Sequence, residues 1–356
     1  MIFTSAERSS IRADLLAQAS RDRRIVSGAI SGSAASGRED DRSDVDLAFG
    51  VATGVPVAEV LLDWTVHMYD RNAAVHHVDT KFENWFYRTF LLPNTLQVDL
   101  AFVPSDHFQA LGPSFKVVFG AAKEPVLFER PTSAQMTAAC LSAIDHANAS
   151  VSKGSPWQAD YLLGVARDSA LISACLDCDL PYHHGRGFDL LPAATKLAYE
   201  KSFATTLDRK EIIRALQVIA GILSGSSQAP KCALPELVEV DRGIGLAWLH
   251  ALHVRSCIWR KKVWQAEYML RGMRDHTIGL VRLRSSAKPG SLLYPESLPE
   301  QIDFRFRDTR LQALNVAELT RAFRLLIECL GSEISFTGLR HAERLRETIS
   351  ALIRDP

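Results

Sequence analysis

The sequence predicts an α+β protein in which a mixed-sheet domain is followed by an all-α, duplicated helical domain. Two observations predict this. The first part alternates short β-rich runs with helical stretches, whereas the remainder is helical and repeats itself at a constant spacing. At about 150 residues per domain, 356 residues suit such a division. The predicted parts are a first domain at 1–130, a first helical repeat at 131–230, and a second repeat with a C-terminal capping helix at 231–356.

The elements of the first domain follow from hydrophobic periodicity. Residues 5–20 and 56–70 each predict an amphipathic helix. Short runs rich in apolar and β-branched residues predict five strands, and Pro93-Asn94 marks the turn before the last of them. The predicted strands are 25–30, 45–51, 75–82, 85–92 and 96–103.

The helical part repeats itself at a constant offset along the chain. Segment 157–168 returns as segment 264–275, and seven of the twelve positions are identical. Leu191-Pro192 returns as Leu298-Pro299 at the same offset. A constant offset without gaps predicts a duplicated unit, at 131–230 and 238–340, with a last helix at 339–353 capping the array.

Several aromatic and charged residues occur in both copies, which predicts a structural role for them. The aromatic residues Trp157 and Trp264 are expected to pack in the core. Asp160 with Arg167, and the equivalent Glu267 with Arg274, lie two turns apart on one helix face. We expect them to form internal ion pairs or bridges between helices.

Composition excludes several classes of protein. The chain has 41 Lys+Arg and 41 Asp+Glu, so its net charge is zero, which argues against a nucleic-acid coat protein or a binder of anionic membranes. No run approaches the ~18 to 20 apolar residues of a membrane span. The first 24 residues carry many charges, so we expect no signal peptide, and six scattered cysteines are expected to be reduced thiols. These features predict a cytoplasmic protein.

The chemistry-bearing motif combines a Gly-Ser turn with three aspartates. Gly32-Ser33 directly follows the first predicted strand. Asp44 and Asp46 open the next strand and project to the same side, because side chains alternate along a strand. Asp99 lies on a later strand. If that strand is adjacent, three carboxylates converge, which is tolerable around a divalent cation such as Mg²⁺.

This pattern resembles the nucleotidyltransferases of the DNA polymerase β superfamily, and most closely the small bacterial branch that includes the aminoglycoside and lincosamide enzymes. The resemblance covers roughly residues 20–105 and rests on the strings 31–37 and 43–47, followed by Asp99. It implies metal-dependent transfer of NMP from an NTP to a hydroxyl group, with release of pyrophosphate. It also implies two Mg²⁺ ions and an NTP donor, expected to be ATP.

The resemblance also implies the roles of individual residues. Asp44 and Asp46 would bind both metals. Asp99 would complete one metal site and accept the proton of the acceptor hydroxyl. Gly32 and Ser33 would hold the β- and γ-phosphates. Ser43 belongs to the same motif and is assigned to the nucleotide-binding set. The duplicated helical part departs from the family pattern and leaves the acceptor open; a small hydroxyl-bearing molecule resembling an aminoglycoside is expected.

One loop occurs only in the first helical copy. It runs from His183 to Gly187 and is polar and flexible in composition. Arg186, together with Lys196, is a candidate contact for the triphosphate or the base. The simpler interpretation is an exposed loop. We expect the first copy to wall the cleft opposite the aspartates and the second copy to pack outside it.

Other interpretations stay open at this point. Cys175 and Cys178, with His183-His184 nearby, could form a zinc site. Packing in the core is the favoured interpretation, because the helix that carries the two cysteines is apolar. The rival functions are an AMP-adding antitoxin that modifies a protein, and a catalytically inactive nucleotide-binding module. A tRNA nucleotidyltransferase is disfavoured because no basic, aromatic-rich strip is visible.

Overall fold

The protein is described by a computed structural model over residues 2–112, 114–125, 129–223, 240–284, 298–337 and 342–353. It is an α+β protein with a mixed six-stranded sheet and a large helical part. The chain divides into two compact units. The first comprises Met1–Glu129 and Arg340–Ala351, and the second comprises Arg130–Leu339 and Leu352–Pro356.

The first unit is built on a sheet of strand order β3-β4-β5-β2-β1-β6. β2 and β5 pair in parallel, whereas the other pairs are antiparallel. The strands are β1 Ile25–Ser31, β2 Val45–Val51, β3 His76–Phe82, β4 Trp85–Leu91, β5 Gln97–Pro104 and β6 Phe115–Phe119. The first five agree with the sequence prediction. β6 was not predicted, and it adds an edge strand beside β1.

Helices α1 Ser5–Arg21 and α3 Val57–Arg71 pack against one face of this sheet. A Thr4–Glu7 capping box begins α1. The alternation of side chains along β2 and β5 separates the two faces: Phe49 and Phe102 join the core beneath the helices, while Ala48 and Ala101 face the other side. Asp46 and Asp99 lie on the same face as Ala48 and Ala101, so they point away from the helix-covered core.

The last helix, α12 Ala342–Ser350, belongs to the first unit. Arg344 Nη2 donates to the carbonyl of Ala73 at 3.0 Å, and Leu345 and Ile349 are buried. The sequence predicts a helix over 339–353 that caps the helical array. Residues 342–351 of that segment instead group with the sheet unit, because the apolar stripe of a short amphipathic helix does not reveal which core will bury it; residues 339–341 lie outside the described residues.

In the second unit, helix starts recur at a fixed spacing. Helices beginning at 156, 193 and 209 are followed by helices beginning at 263, 300 and 316, and the helix ending at 152 is followed by one ending at 259, so each of these pairs has the offset that relates Trp157 to Trp264. The helices are α4 Ser133–Ser152, α5 Pro156–Asp177, α6 Ala193–Glu200, α7 Arg209–Leu223, α8 Val240–Trp259, α9 Val263–Arg284, α10 Glu300–Asp308 and α11 Val316–Ser335. The expected boundary at 230/231 lies outside the described residues, and so does segment 289–294, which stands in the second copy where the first has the loop from His183 to Gly187.

The hydrogen bonds of two arginines recur at the same spacing. Arg214 and Arg321 each pair with a glutamate three residues earlier, and each donates to two main-chain carbonyls of the preceding loop. The acceptors are Lys201 and Phe203 for Arg214, at 2.6 and 2.8 Å, and Asp308 and Arg310 for Arg321, at 2.6 and 2.7 Å. Both the acceptors and the donors are therefore related by the offset of the sequence repeat.

Helices α5 and α9 bury aromatic and charged residues, as the sequence predicted. Trp157 and Trp264 are buried. The charged residues form ion pairs between α5 and α9, and between α5 and the loop after α10, around a small arginine-lined cavity. These ion pairs are Asp160–Arg310 at 2.5 Å, Asp168–Arg271 at 2.6 Å and Arg167–Glu267 at 3.9 Å.

Within the described residues, no helix is both long enough and apolar enough to cross a membrane.

Candidate metal and nucleotide site

Three aspartates converge on the open face of the sheet. Asp46 on β2 lies directly opposite Asp99 on the parallel neighbour β5, and Asp44 immediately precedes β2. One carboxylate oxygen from each residue lies within 4.8 Å of the other two. The adjacency of the strands, which the sequence alone left conditional, brings the three carboxylates together.

The carboxylates strongly perturb one another. Burial, followed by the charges of Asp44 and Asp99, raises the pKa of Asp46 well above its ordinary value. Burial and the charge of Asp44 raise the pKa of Asp99 to about 6. A concentration of negative charge of this kind is relieved by a cation, and oxygen ligands alone suit Mg²⁺ or Mn²⁺.

Hydrogen bonds from two neighbouring side chains hold the Asp99 carboxylate. Gln97 Nε2 donates to Asp99 Oδ2 at 2.9 Å, and the Thr89 hydroxyl also donates to this carboxylate. Asp99 Oδ1 is buried and has no hydrogen-bond partner among the described residues. Gln97 and Thr89 were not predicted as site residues from the sequence. Gln97 could have been found from its i−2 spacing to Asp99 on one strand face, whereas Thr89 depends on the β4–β5 register.

The Gly-Ser turn lies against the trio. Gly32 begins the short helix α2 Gly32–Ala35 with a φ of +64°. A Cβ at this position would lie 1.9 Å from Asp46 Oδ2, so the turn requires glycine for both its conformation and its space. Ser33 Oγ is buried without a hydrogen-bond partner among the described residues, which leaves this hydroxyl available to a ligand.

The loop that leads into Asp44 is fixed by α1. The buried Arg8 donates to the carbonyls of Asp40 and Ser43, at 2.6 and 3.3 Å, and pairs with Glu39 at 3.1 Å. The Ser43 hydroxyl accepts from the Asp40 amide at 2.9 Å and donates to the Asp40 carboxylate at 3.2 Å. The Ser43 hydroxyl, which we expected to contact the nucleotide, therefore makes its hydrogen bonds within this loop.

Arg186 and Lys196 lie in the second unit. Arg186 is exposed and follows a 3-10 turn. Lys196 Nζ donates to the carbonyl of Asp189 at 2.8 Å, and the Asp189 carboxylate in turn accepts from the first amides of α9. A contact of Arg186 or Lys196 with a triphosphate stays a prediction.

The cysteine pair is split between core and surface. Cys175 is buried, and burial raises its pKa to about 12, whereas Cys178 is exposed at the end of α5. Core packing, the favoured interpretation, holds for Cys175. Among the described residues, the three aspartates form the only group of three or more His, Cys, Asp or Glu with metal-binding geometry.

Comparison with known proteins adds little to this geometry. No protein-family model matches the chain, and no curated protein matches it. One solved structure that it matches is an aminoglycoside 6-adenyltransferase from Bacillus subtilis, at 13% identity, with 59% of this chain and 85% of that chain covered. The TM-score is 0.24, a value at which the likeness carries no argument about fold or function.

Proposed function

We propose that this chain is a metal-dependent nucleotidyltransferase that transfers NMP from an NTP, expected to be ATP, to a hydroxyl of a small molecule resembling an aminoglycoside. The observation that carries the proposal is the convergence of Asp44, Asp46 and Asp99 beside a turn that accepts only glycine at position 32. Each feature alone is common on protein surfaces. Together they form an acidic, oxygen-only site next to backbone that a phosphate can approach closely.

The donor set fits divalent cations of the magnesium type. Asp44 and Asp46 would hold both ions, and Asp99 would complete one site through Oδ1, which has no hydrogen-bond partner among the described residues. When bound, the ions neutralise triphosphate charge and stabilise the charge that develops on the attacking and leaving oxygens.

The protein's own residues would orient the two substrates. The Gly32-Ser33 backbone and the Ser33 hydroxyl would contact the β- and γ-phosphates. The acceptor hydroxyl oxygen would form a bond to the α-phosphorus, while the bond from that phosphorus to the bridging oxygen breaks and pyrophosphate leaves. Asp99 would orient the acceptor hydroxyl or accept its proton.

We further propose that the second unit is a duplication, with repeats at 131–230 and 238–340. The constant offset between helix starts supports this, and so do the matched hydrogen bonds of Arg214 and Arg321. The first repeat, with Arg186 and Lys196, would wall the cleft opposite the aspartates. The grouping of α12 with the first unit limits the second repeat to residues before that helix.

A product assay tests the proposed function. The full chain is incubated with each NTP, Mg²⁺ and a panel of aminoglycosides and other polyols, and product masses and pyrophosphate are measured. We expect an acceptor that gains one NMP and an equal amount of pyrophosphate, with neither formed by Asp44→Asn. Nucleotide binding without pyrophosphate would instead indicate an inactive binding module, and label on a protein would indicate an AMP-adding enzyme of the antitoxin type.

A further inference from the structure

We propose that Gln97 and Thr89 are positioning residues that fix the orientation of the Asp99 carboxylate, so that Oδ1 faces the divalent cation. This inference rests on the proposed function, because it concerns how one ligand of the proposed metal site is held. Neither residue belongs to the sequence motif through which the site was found.

The two donors reach Asp99 from different strands. Thr89 on β4 is the direct register partner of Asp99 across the antiparallel β4–β5 pair. Gln97 lies two residues before Asp99 on β5, and therefore on the same face of the sheet. Both residues are buried, with 6% of their surface exposed. The donors are thus supplied by the sheet itself, whose register fixes their positions.

The hydrogen bonds make the two carboxylate oxygens unequal. A carboxylate on a strand can rotate about its Cβ–Cγ bond, and each rotation presents a different oxygen to a neighbour. Gln97 Nε2 holds Oδ2 at 2.9 Å, and the Thr89 hydroxyl adds a second donor to the group. Oδ1 is buried and makes no hydrogen bond among the described residues, although the Asp46 carboxyl group also hydrogen-bonds to the Asp99 carboxylate.

Holding a ligand in advance lowers the cost of binding the metal. Groups that hydrogen-bond to metal ligands contribute about 10- to 100-fold to metal affinity in other proteins. Asp99 also lies beside Asp46, so a freely rotating carboxylate could turn Oδ1 away from its neighbour when no cation is bound. The Gln97 and Thr89 donors oppose that rotation by keeping Oδ2 engaged.

Three substitutions test this role without removing a carboxylate. Gln97→Met and Thr89→Val keep similar volume but remove the donor, while Thr89→Ser keeps the hydroxyl. Thr80→Val is the matched control, because Thr80 lies on β3, a strand that carries none of the three aspartates. Mn²⁺ binding to the full chain is measured by electron paramagnetic resonance of free Mn²⁺ without nucleotide, and thermal unfolding checks that each variant is folded.

We expect Gln97→Met and Thr89→Val each to weaken Mn²⁺ binding by about tenfold, with Thr89→Ser and Thr80→Val close to wild type. With nucleotide and acceptor present, kcat should fall more than the KM for NTP changes. Wild-type Mn²⁺ affinity in both donor-free variants, alongside weak binding by Asp99→Asn, would overturn the positioning role alone. Wild-type affinity in Asp99→Asn would overturn the metal site itself. If Gln97→Met does not fold, the Thr89→Ser and Thr89→Val pair still decides the question.

Discussion

Gly32 and Asp46 are packed so closely that a single Cβ on the glycine would lie 1.9 Å from the aspartate's Oδ2. The turn after β1 and the acidic trio are therefore one structural feature, although the two residues come from separate elements of the chain. The close contact links the part of the site assigned to phosphate with the part assigned to metal.

Gly32→Ala should disrupt both parts of the site, and Gly37→Ala provides a matched control. Both glycines have φ near +65°, but a Cβ at Gly37 would meet no atom within 4 Å. Gly37→Ala should lower the free energy of unfolding by only about 1 to 2 kcal/mol, which is the cost of the left-handed conformation for a residue with a Cβ. Gly32→Ala should lose more stability and nearly all NMP transfer. Denaturant unfolding and the product assay measure the two effects, and equal effects of the two substitutions would contradict the close packing at Asp46.

Asp44→Asn and Asp46→Asn should each abolish NMP transfer without lowering stability. Each removes a negative charge from a group of carboxylates that repel one another, so the free energy of unfolding in the absence of metal should stay unchanged or rise. In wild type, Mg²⁺ or Mn²⁺ should raise the melting temperature, and this rise should shrink in both variants. Turnover near the wild-type rate in either variant would contradict the metal assignment.

Gly164→Ala should destabilise the helical unit through Arg271. A Cβ at Gly164 would lie 2.7 to 2.9 Å from atoms of the Arg271 side chain, which is paired with Asp168. Displacement of this buried pair should cost about 1 to 3 kcal/mol. The control is Gly279→Ala on α9, where a Cβ has open space and should stabilise the helix by about 0.5 to 1 kcal/mol. Urea unfolding of both variants measures the difference, and stabilisation by both would show that Arg271 moves aside freely.

Two histidines should make the protein less stable in mild acid. Burial, followed by the charge of His250, lowers the pKa of both His253 and His276 to about 3. These side chains stay neutral in the folded chain but take up protons in the unfolded chain below about pH 6.5. Their contribution to stability is therefore complete above pH 6.5 and is lost as the pH falls toward 3.

The measurement is the free energy of unfolding between pH 7 and pH 4.5. His276→Gln should flatten this dependence, because unfolding then takes up fewer protons. An unchanged slope in His276→Gln would contradict the burial of the neutral imidazole.

Arg186→Ala should weaken triphosphate binding by about 1 to 3 kcal/mol if the first repeat walls the cleft, since that is the usual loss for a hydrogen bond to a charged group. Arg305→Ala, at an exposed position on α10 of the proposed second repeat, should leave binding unchanged. Calorimetric titration with a non-hydrolysable NTP analogue compares them. A larger loss in Arg305→Ala would reverse the roles assigned to the two repeats.

The sequence was most informative where side chains alternate within one strand. Asp44 and Asp46 could be placed on one side of a strand from their spacing, and the later strand carrying Asp99 was found from its own pattern. Contacts between distant segments were not predictable. The hydrogen bond from Thr89 to Asp99 depends on the register of two strands, and Arg8 reaches from α1 to the loop before Asp44.

Edge strand β6 and helix α12 were harder to place for related reasons. Val117 and Val118 of β6 are exposed, so the strand lacks the alternating burial that identifies a half-buried strand. Amphipathicity predicts that α12 covers a core, but it contains no information about which of two cores is covered. The choice is made by tertiary contacts such as the one between Arg344 and Ala73.

Two of the ion pairs between α5 and the second half of the helical unit join an aspartate of α5 to an arginine of the second half. Arg310 and Arg271 reach back to Asp160 and Asp168. At the equivalent positions of the repeat, the first half has Phe203 and Gly164. Two copies of the first half alone would therefore bury both aspartates opposite side chains with no charge. If the two halves arose by duplication, as we propose, these two ion pairs can form only between unlike halves, and two copies of the first half could not make them.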